Sequence, residues 1–225
     1  MVNFQEMILA DRRVRKVERF EGNFLDYLHM LQKHPEIYKL AHKRIYDLIV
    51  EQGTTLVHTE ENPRLRRIYG KDTIKQYHFF KENFFGIDKT LMKIVRYLHS
   101  AAMQGEEAKQ VLYLVGPVGA GKSSLIDAIK TLLESSEPIY ALEGCPMREE
   151  PLHLIPKHSR GAFEEVLGIK IEGDLCPVCR YRLINEFKGK YEEFPVVQSD
   201  FSIRSRKGIG VVPPVDPNNQ DTSRL

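Results

Sequence analysis

A glycine-rich segment in the middle of the chain has the residue types that bind a polyphosphate. Gly116 and Gly121 lie five positions apart, and lysine and serine follow directly, which completes the P-loop pattern. Glycines let the backbone turn successive N–H groups inward, and the following helix adds the positive end of its dipole. In such a loop the lysine contacts the β- and γ-phosphates, and the serine hydroxyl coordinates Mg²⁺. The sequence therefore predicts an ATP site, with Ser123 as the Mg²⁺ ligand, made of Gly116, Pro117, Val118, Gly119, Ala120, Gly121, Lys122, Ser123 and Ser124.

The segments on either side of this loop have the patterns that its chemistry requires. Residues 111–115 are a continuous apolar run, which is typical of a strand covered on both faces. Residues 124–133 carry apolar side chains at helical spacing, and residues 139–142 are a second short apolar run. Strand, loop, helix and strand in this order predict a βαβ unit. The expected fold class is therefore α/β, with an incomplete P-loop core built on a parallel sheet.

A P-loop enzyme also needs an acidic residue that ends a second apolar strand and helps to hold Mg²⁺. Glu143 follows residues 139–142, and Asp200 ends a weaker apolar stretch that Pro195 and Gln198 interrupt. Neither stretch has four apolar residues followed by Asp–Glu. No catalytic residue is therefore assigned, and whether the chain is an enzyme stays open.

The three cysteines of the chain form a second group with possible chemistry. Cys176 and Cys179 have the spacing of a zinc knuckle, and Cys145 is a suitable third ligand. A histidine would complete a tetrahedral Zn²⁺ site, and the prediction uses His153, with His158 as the other candidate. Two alternatives remain open: three reduced thiols without a metal, or a redox pair formed by the C-x-x-C motif at the start of a helix.

The wider sequence suggests how these segments are organised. Apolar residues recur at helical spacing before Gly53, and the segment 21–23 has the residue types of a helix start. A second amphipathic helix is expected over residues 88–104. The predicted divisions are a helical N-terminal extension over 1–55, the first part of the ATP-binding core over 56–144, a cysteine-containing insertion over 145–195, and further core strands with a polar tail over 196–225.

Composition argues against several classes of protein. The chain is 42% hydrophobic and 28% charged, as expected of a globular protein. Its 33 basic and 31 acidic residues nearly balance, so we expect neither a nucleic-acid nor a membrane partner. No apolar run approaches the roughly 20 residues that span a bilayer, and the N-terminus does not match a secretory signal. The odd number of cysteines favours a reducing, cytoplasmic location.

Several segments together resemble the N-terminal AAA-type ATPase domain of the bacterial PrkA serine protein kinases. The resemblance covers nearly the whole chain and is more specific than the P-loop alone. It rests on residues 77–80, 84–88, 111–124, 145–156, 171–180 and 216–221.

The resemblance implies that the chain binds ATP with Mg²⁺, is cytoplasmic and bacterial, and takes part in phosphorylating protein serine. It also implies that Phe85, Gly86 and Ile87 line the adenine pocket, although packing at a helix start would explain them too. Members of this family run to several hundred residues. We therefore expect an N-terminal fragment that is weak or inactive alone.

Three functions remain open. The chain is the ATP-binding part of a serine protein kinase, or an AAA-type ATPase that acts on protein substrates within a homo-oligomeric ring. The third possibility is a nucleotide-gated binding module without catalysis. The P-loop is common to all three and does not separate them.

Overall fold

The computed structural model describes Phe4, Glu6, residues 20–59 and residues 63–212. Residues up to Tyr38 and from Glu137 onward form one compact unit, the first unit, and Lys39–Ser136 form the second unit. The boundaries therefore differ from those predicted at 55 and 144. The predicted polar tail, the segment 216–221 and most of residues 1–19 lie outside the described residues.

Short helices and strands make up both units. The helices are α1 Phe24–Lys33, α2 Ala41–Glu51, α3 Pro63–Tyr69, α4 His78–Lys81, α5 Asp88–Ala102, α6 Lys122–Glu134, α7 Arg160–Leu167 and α8 Pro177–Asn185. The strands are β1 Glu21–Asn23, β2 Thr54–His58, β3 Thr73–Tyr77, β4 Ile139–Leu142 and β5 Pro195–Ser199. Single 3₁₀ turns lie at Pro35–Ile37, Glu106–Lys109, Pro151–Leu154, Lys157–Ser159 and Tyr191–Glu193.

The first unit joins the N-terminal segment to a sheet made of later residues. β5 lies between β1 and β4 and pairs with both in antiparallel fashion, so that Val197 is opposite Glu21 on one side and Ala141 on the other. α1 begins with a capping box, because the Asn23 side chain accepts the Asp26 N–H and the Asp26 carboxylate accepts the Asn23 N–H, each at 2.9 Å. The predicted helix start at residues 21–23 is confirmed, although helical structure there stops at Lys33.

The core of the first unit includes two of the cysteines. Side chains from α1, β4, β5 and the segment 145–179 are packed together out of solvent. The buried members are Phe24, Tyr27, Leu31, Leu142, Cys145, Leu152, Leu154, Ile155, Ile171, Cys179, Phe194 and Val196.

The second unit packs three amphipathic helices and an antiparallel strand pair. β2 pairs with β3, with Thr54 opposite Tyr77. α5 buries the apolar face that its spacing predicts, and α2 and α6 pack against it. The buried core consists of Ile49, Phe80, Phe84, Leu91, Ile94, Val95, Leu98, Leu125 and Leu132.

The predicted parallel βαβ unit is not present among the described residues. Residues 111–115 form no strand, and Val111, Tyr113 and Val115 are 90%, 83% and 81% exposed. β4 is a strand as predicted, but its partner is β5 in an antiparallel pair. A continuous apolar run becomes a buried strand only where neighbouring strands bond to its backbone, and no described strand does so at 111–115. The structure is thus mixed α/β with small antiparallel sheets.

None of the helices in the described ranges has both the length and the apolar character needed to cross a membrane.

Candidate functional site

The glycine-rich loop is held in place by the helix that follows it. α6 starts at Lys122, two residues before the predicted helical segment 124–133, and it buries Leu125 and Leu132 in the core of the second unit. The Leu125 N–H bonds to the Gly121 carbonyl at 2.9 Å, which fixes the start of the helix. The loop therefore ends at a rigid element, while residues 116–120 are exposed.

The glycines of the loop adopt conformations that other residues rarely take. Gly119 and Gly121 have φ angles of +82° and +76°. In the described part of the chain, the N–H groups of Val118, Gly119 and Gly121 donate to no acceptor, and neither do those of Lys122 and Ser123. The backbone thus offers a row of donors at a helix N-terminus, as an anion site requires.

The Lys122 side chain folds back over this loop. Its ammonium donates to the carbonyl oxygens of Gly116 and Pro117, with Nζ–O distances of 2.7 and 2.6 Å. The Ala120 N–H also bonds to the Pro117 carbonyl, at 3.3 Å, and closes a turn within the loop. The positive charge therefore lies on the loop itself, where a phosphate would compete with two neutral carbonyls for it.

The two serines occupy the first turn of α6. Ser123 and Ser124 are both exposed. A hydroxyl at the Ser123 position, directly after the lysine, is the group that would reach Mg²⁺ in a bound Mg-ATP complex.

The segment predicted to line an adenine pocket is adjacent to the loop. The buried Phe84 ring packs so close to Gly121 that a β-carbon added there would lie 3.7 Å from its Cε1 atom. Phe85 is 81% exposed, Gly86 has a φ of +75°, and Ile87 caps α5. Sequence reasoning missed Phe84, whose only signal was its place in an aromatic-rich segment.

A second group of side chains converges in the first unit. Cys145 lies in the turn after β4, Cys176 caps α8, and Cys179 lies in its first turn. Their sulfur atoms and a carboxylate oxygen of Glu149 all lie within 4.8 Å of one another. We call these four residues the Cys–Glu cluster. The structure thus brings together the three predicted cysteines, but with Glu149 in place of His153.

Hydrogen bonds fix the position of Glu149. Its Oε1 atom accepts the Cys176 N–H at 2.7 Å and lies 3.2 Å from Nδ1 of His153. Its backbone carbonyl accepts the Leu142 N–H at 2.9 Å, which ties it to β4. His153 therefore touches the cluster only through Glu149, and the other candidate, His158, is exposed. No sequence signal distinguished Glu149 from the acidic residue beside it.

The thiols of the cluster differ in how readily they ionise. Burial, reinforced by hydrogen bonds with the other two thiols, raises the pKa of Cys179 well above its ordinary value. Burial also raises the pKa of Cys176. For Cys145, burial opposes ionisation, but hydrogen bonds from the Glu149 backbone N–H, the Cys179 thiol, the Met147 backbone N–H and the Cys176 thiol together outweigh it and lower the pKa. A bound divalent cation would supply the positive charge that several buried thiolates need.

The two acids considered for Mg²⁺ belong to the first unit, whereas the loop belongs to the second. Glu143 follows β4 and Asp200 follows β5, and both are exposed. The Glu143 N–H donates to the carbonyl of Pro195, the first residue of β5, at 3.0 Å. Neither acid is assigned a role.

A groove of about 820 Å³ lies elsewhere in the second unit, along β3 and α5. Its lining is strongly basic and includes Lys71, Lys75, Lys93 and Arg96. No residue of the glycine-rich loop lines it, so the groove and the loop are separate surfaces.

Comparison with known proteins identifies the class. The family model described as the PrkA AAA domain matches residues 22–225, and the chain therefore belongs to this family. The expected resemblance is confirmed. No solved structure matches the chain.

Two curated relatives show how the family is named. The chain is 38% identical over 213 residues to the "ATP-dependent protease PrkA" of Bacillus subtilis, and 35% identical over 212 residues to the "Serine/threonine kinase YeaG" of Escherichia coli K12. These alignments cover 92% and 91% of this chain, but 32% of each relative. The chain thus spans about a third of their length.

A third relative is shorter. An uncharacterized protein in the gldA 5' region of Geobacillus stearothermophilus is 31% identical over 101 residues, which is 44% of this chain and 90% of that protein.

We predict that Gly119→Ala weakens ATP binding without unfolding the chain. No atom lies within 4 Å of an added β-carbon, so the cost comes from the positive φ alone, about 1–2 kcal/mol. Relief of that strain would distort the loop and lower ATP affinity roughly five- to thirtyfold. Isothermal titration calorimetry measures this, with Gly161→Ala as the control because its added methyl also meets open space, at an ordinary φ. Equal ATP affinity in both variants would show that the loop conformation is not used for binding.

Proposed function

We propose that this chain binds Mg-ATP through residues 116–124 and supplies the nucleotide-binding part of a PrkA-like serine protein kinase. The observation that carries the proposal is the position of the Lys122 ammonium, whose Nζ atom lies 2.7 and 2.6 Å from the carbonyl oxygens of Gly116 and Pro117. Several backbone N–H groups of the same loop donate to no acceptor among the described residues. A triphosphate carries the charge and the acceptor oxygens that match both sets of donors.

The backbone supports the phosphate half of this proposal. Positive φ angles at Gly119 and Gly121 curl the loop, and α6 begins at its end with a fixed first bond. The helix dipole and the row of N–H groups act in the same direction on an anion. Ser123 would hold Mg²⁺, which bridges the β- and γ-phosphates.

The segment before α5 supports the adenine half. Phe84 packs against Gly121 in the second unit, and Phe85, the next residue in the chain, has an exposed ring. A large aromatic ring exposed beside a phosphate-binding loop is suited to stacking on a base. We propose that Phe85, Gly86 and Ile87 form that side of the pocket.

The relatives' names indicate two uses of the bound ATP. One relative is named a serine/threonine kinase, which would transfer the γ-phosphate to protein serine. The other is named an ATP-dependent protease, which favours the alternative that family members act on protein substrates as ATPases. For that alternative we propose a homo-oligomeric ring. For either function we propose a cytoplasmic location and a protein substrate. Nucleotide binding without catalysis is the third candidate for the chain alone.

Replacing Lys122 by alanine should lower ATP affinity at least tenfold, which is about 1.4 kcal/mol or more, because the charge that meets the β- and γ-phosphates is lost. Titration calorimetry with Mg-ATP and with inorganic tripolyphosphate should show the loss for both ligands. Lys93→Ala is the matched control, since it removes an equal charge from an exposed position on α5. Unchanged affinity in the Lys122 variant would refute binding at this loop.

Replacing Phe85 by alanine tests the adenine side separately. We expect ATP affinity to fall about fivefold or more, near 1 kcal/mol, whereas tripolyphosphate affinity stays the same because it has no base to stack. Tyr181→Ala serves as the control, because Tyr181 is also an exposed aromatic residue, in the first unit. If ATP and tripolyphosphate affinities change together, Phe85 acts on the loop and not on the base.

The fate of the γ-phosphate separates the candidate functions. The chain is incubated with ATP labelled at the γ-phosphate, Mg²⁺ and casein as a serine-containing acceptor. Label on casein serine supports the kinase. Free phosphate supports the ring ATPase if its rate of release rises more steeply than linearly with protein concentration. For the chain alone we expect binding with little turnover, because neither Glu143 nor Asp200 is assigned to the Mg²⁺ site. Rapid turnover that survives Lys122→Ala would contradict the assignment to this loop.

A further inference from the structure

We propose that Cys145, Cys176, Cys179 and Glu149 together bind one structural zinc ion, and that His153 positions the Glu149 carboxylate instead of binding the metal. The proposal concerns the first unit alone and does not depend on ATP binding. It changes the expected fourth ligand from a histidine to a carboxylate.

Two of the three sulfur atoms already have the spacing of a tetrahedral site. Two thiolates bound to zinc at about 2.3 Å in a tetrahedron are about 3.8 Å apart. The Sγ atoms of Cys145 and Cys176 are separated by 3.8 Å. A disulfide would require about 2.05 Å, so this arrangement fits a shared cation better than an S–S bond.

Glu149 provides the observation that points to a ligand. The residue is 8% exposed, and its Oε2 atom is buried without a hydrogen-bond partner among the described residues. A buried, unpartnered carboxylate oxygen is costly, and coordination to a cation would satisfy it. Its donor atom lies in the same 4.8 Å group as the three sulfurs, so the group supplies the four ligands that zinc takes in structural sites.

His153 is oriented away from direct coordination. Its Nδ1 atom faces Oε1 of Glu149 at 3.2 Å. Its Nε2 atom lies against Gly173, so close that a β-carbon there would be 2.5 Å away. Gly173 has a φ of +94°, and the absence of a side chain makes room for the ring. A ligand carboxylate bonded to a histidine is the kind of outer contact that orients metal ligands.

The start of α8 compensates the negative charge of such a site. Cys176 is its cap residue and Cys179 lies in its first turn, where the helix dipole favours thiolates. Metal binding would release the remaining thiol protons to solvent. The ion would link the turn after β4 to the start of α8, inside a core that already contains Cys145 and Cys179.

The test measures zinc and its ligands in the 225-residue chain purified under reducing conditions. We expect close to one equivalent of zinc by mass spectrometry. X-ray absorption should show three sulfurs at about 2.3 Å and one oxygen at about 2.0–2.2 Å, without the outer-shell scattering pattern of an imidazole. Cobalt(II) added to the metal-free protein should give thiolate-to-cobalt charge transfer and tetrahedral visible bands.

Variants assign the fourth ligand. Glu149→Gln should change the cobalt bands and lower zinc affinity at least tenfold. His153→Gln should weaken binding but leave the cobalt bands in place, because the ligand atoms are unchanged. Glu143→Gln is the matched control, since it removes the same charge from an exposed position near Cys145, and it should match the parent chain in both measurements.

Two results would overturn the proposal. Cobalt bands that change in His153→Gln but not in Glu149→Gln, or an imidazole pattern in the parent chain, would make the histidine the ligand. Less than a tenth of an equivalent of zinc, together with no cobalt charge transfer in a chain that circular dichroism shows to be folded, would mean that the cluster binds no metal.

Discussion

The ammonium group of Lys122 is the centre on which the proposed nucleotide chemistry depends. It donates to the carbonyls of Gly116 and Pro117 and so holds the loop in a curled form. Hydrogen bonds to a charged group contribute about 1.5–3 kcal/mol each, so a ligand must offer the lysine a stronger acceptor. In the proposed function a polyphosphate would do this and would also accept from the backbone N–H groups. The loop would then bind highly charged anions in preference to neutral ligands.

Local and tertiary features act together on this loop. The positive φ values at Gly119 and Gly121 are local, because only glycine takes them at little cost. The anchoring of α6 is tertiary, since Leu125 and Leu132 are buried against α5 and α2. The glycine conformations would not define a binding site without the anchored helix, because a loop that ends on a mobile helix would not hold its N–H groups in one direction.

The two chemical centres of the chain belong to different units. The loop lies in the second unit, whereas the Cys–Glu cluster belongs to the core of the first. The proposed nucleotide binding and the proposed structural metal can therefore be tested in separate variants. The two curated relatives are named as a serine/threonine kinase and as an ATP-dependent protease.

The residue types alone predicted the glycine turn before α6, the helix start at Asn23 and the buried face of α5, because each depends on neighbours within a few positions. Strand partners, unit boundaries and the fourth member of the Cys–Glu cluster depended on the tertiary structure. Residues 111–115 have the composition of a buried strand, but these five residues do not determine which other strand would pair with them. Glu149 contacts Cys176 across 27 positions of sequence, and a contact of that range is set by how β4 and α8 pack. Sequence patterns encode local conformation, whereas the packing of distant segments decides which side chains come within bonding distance.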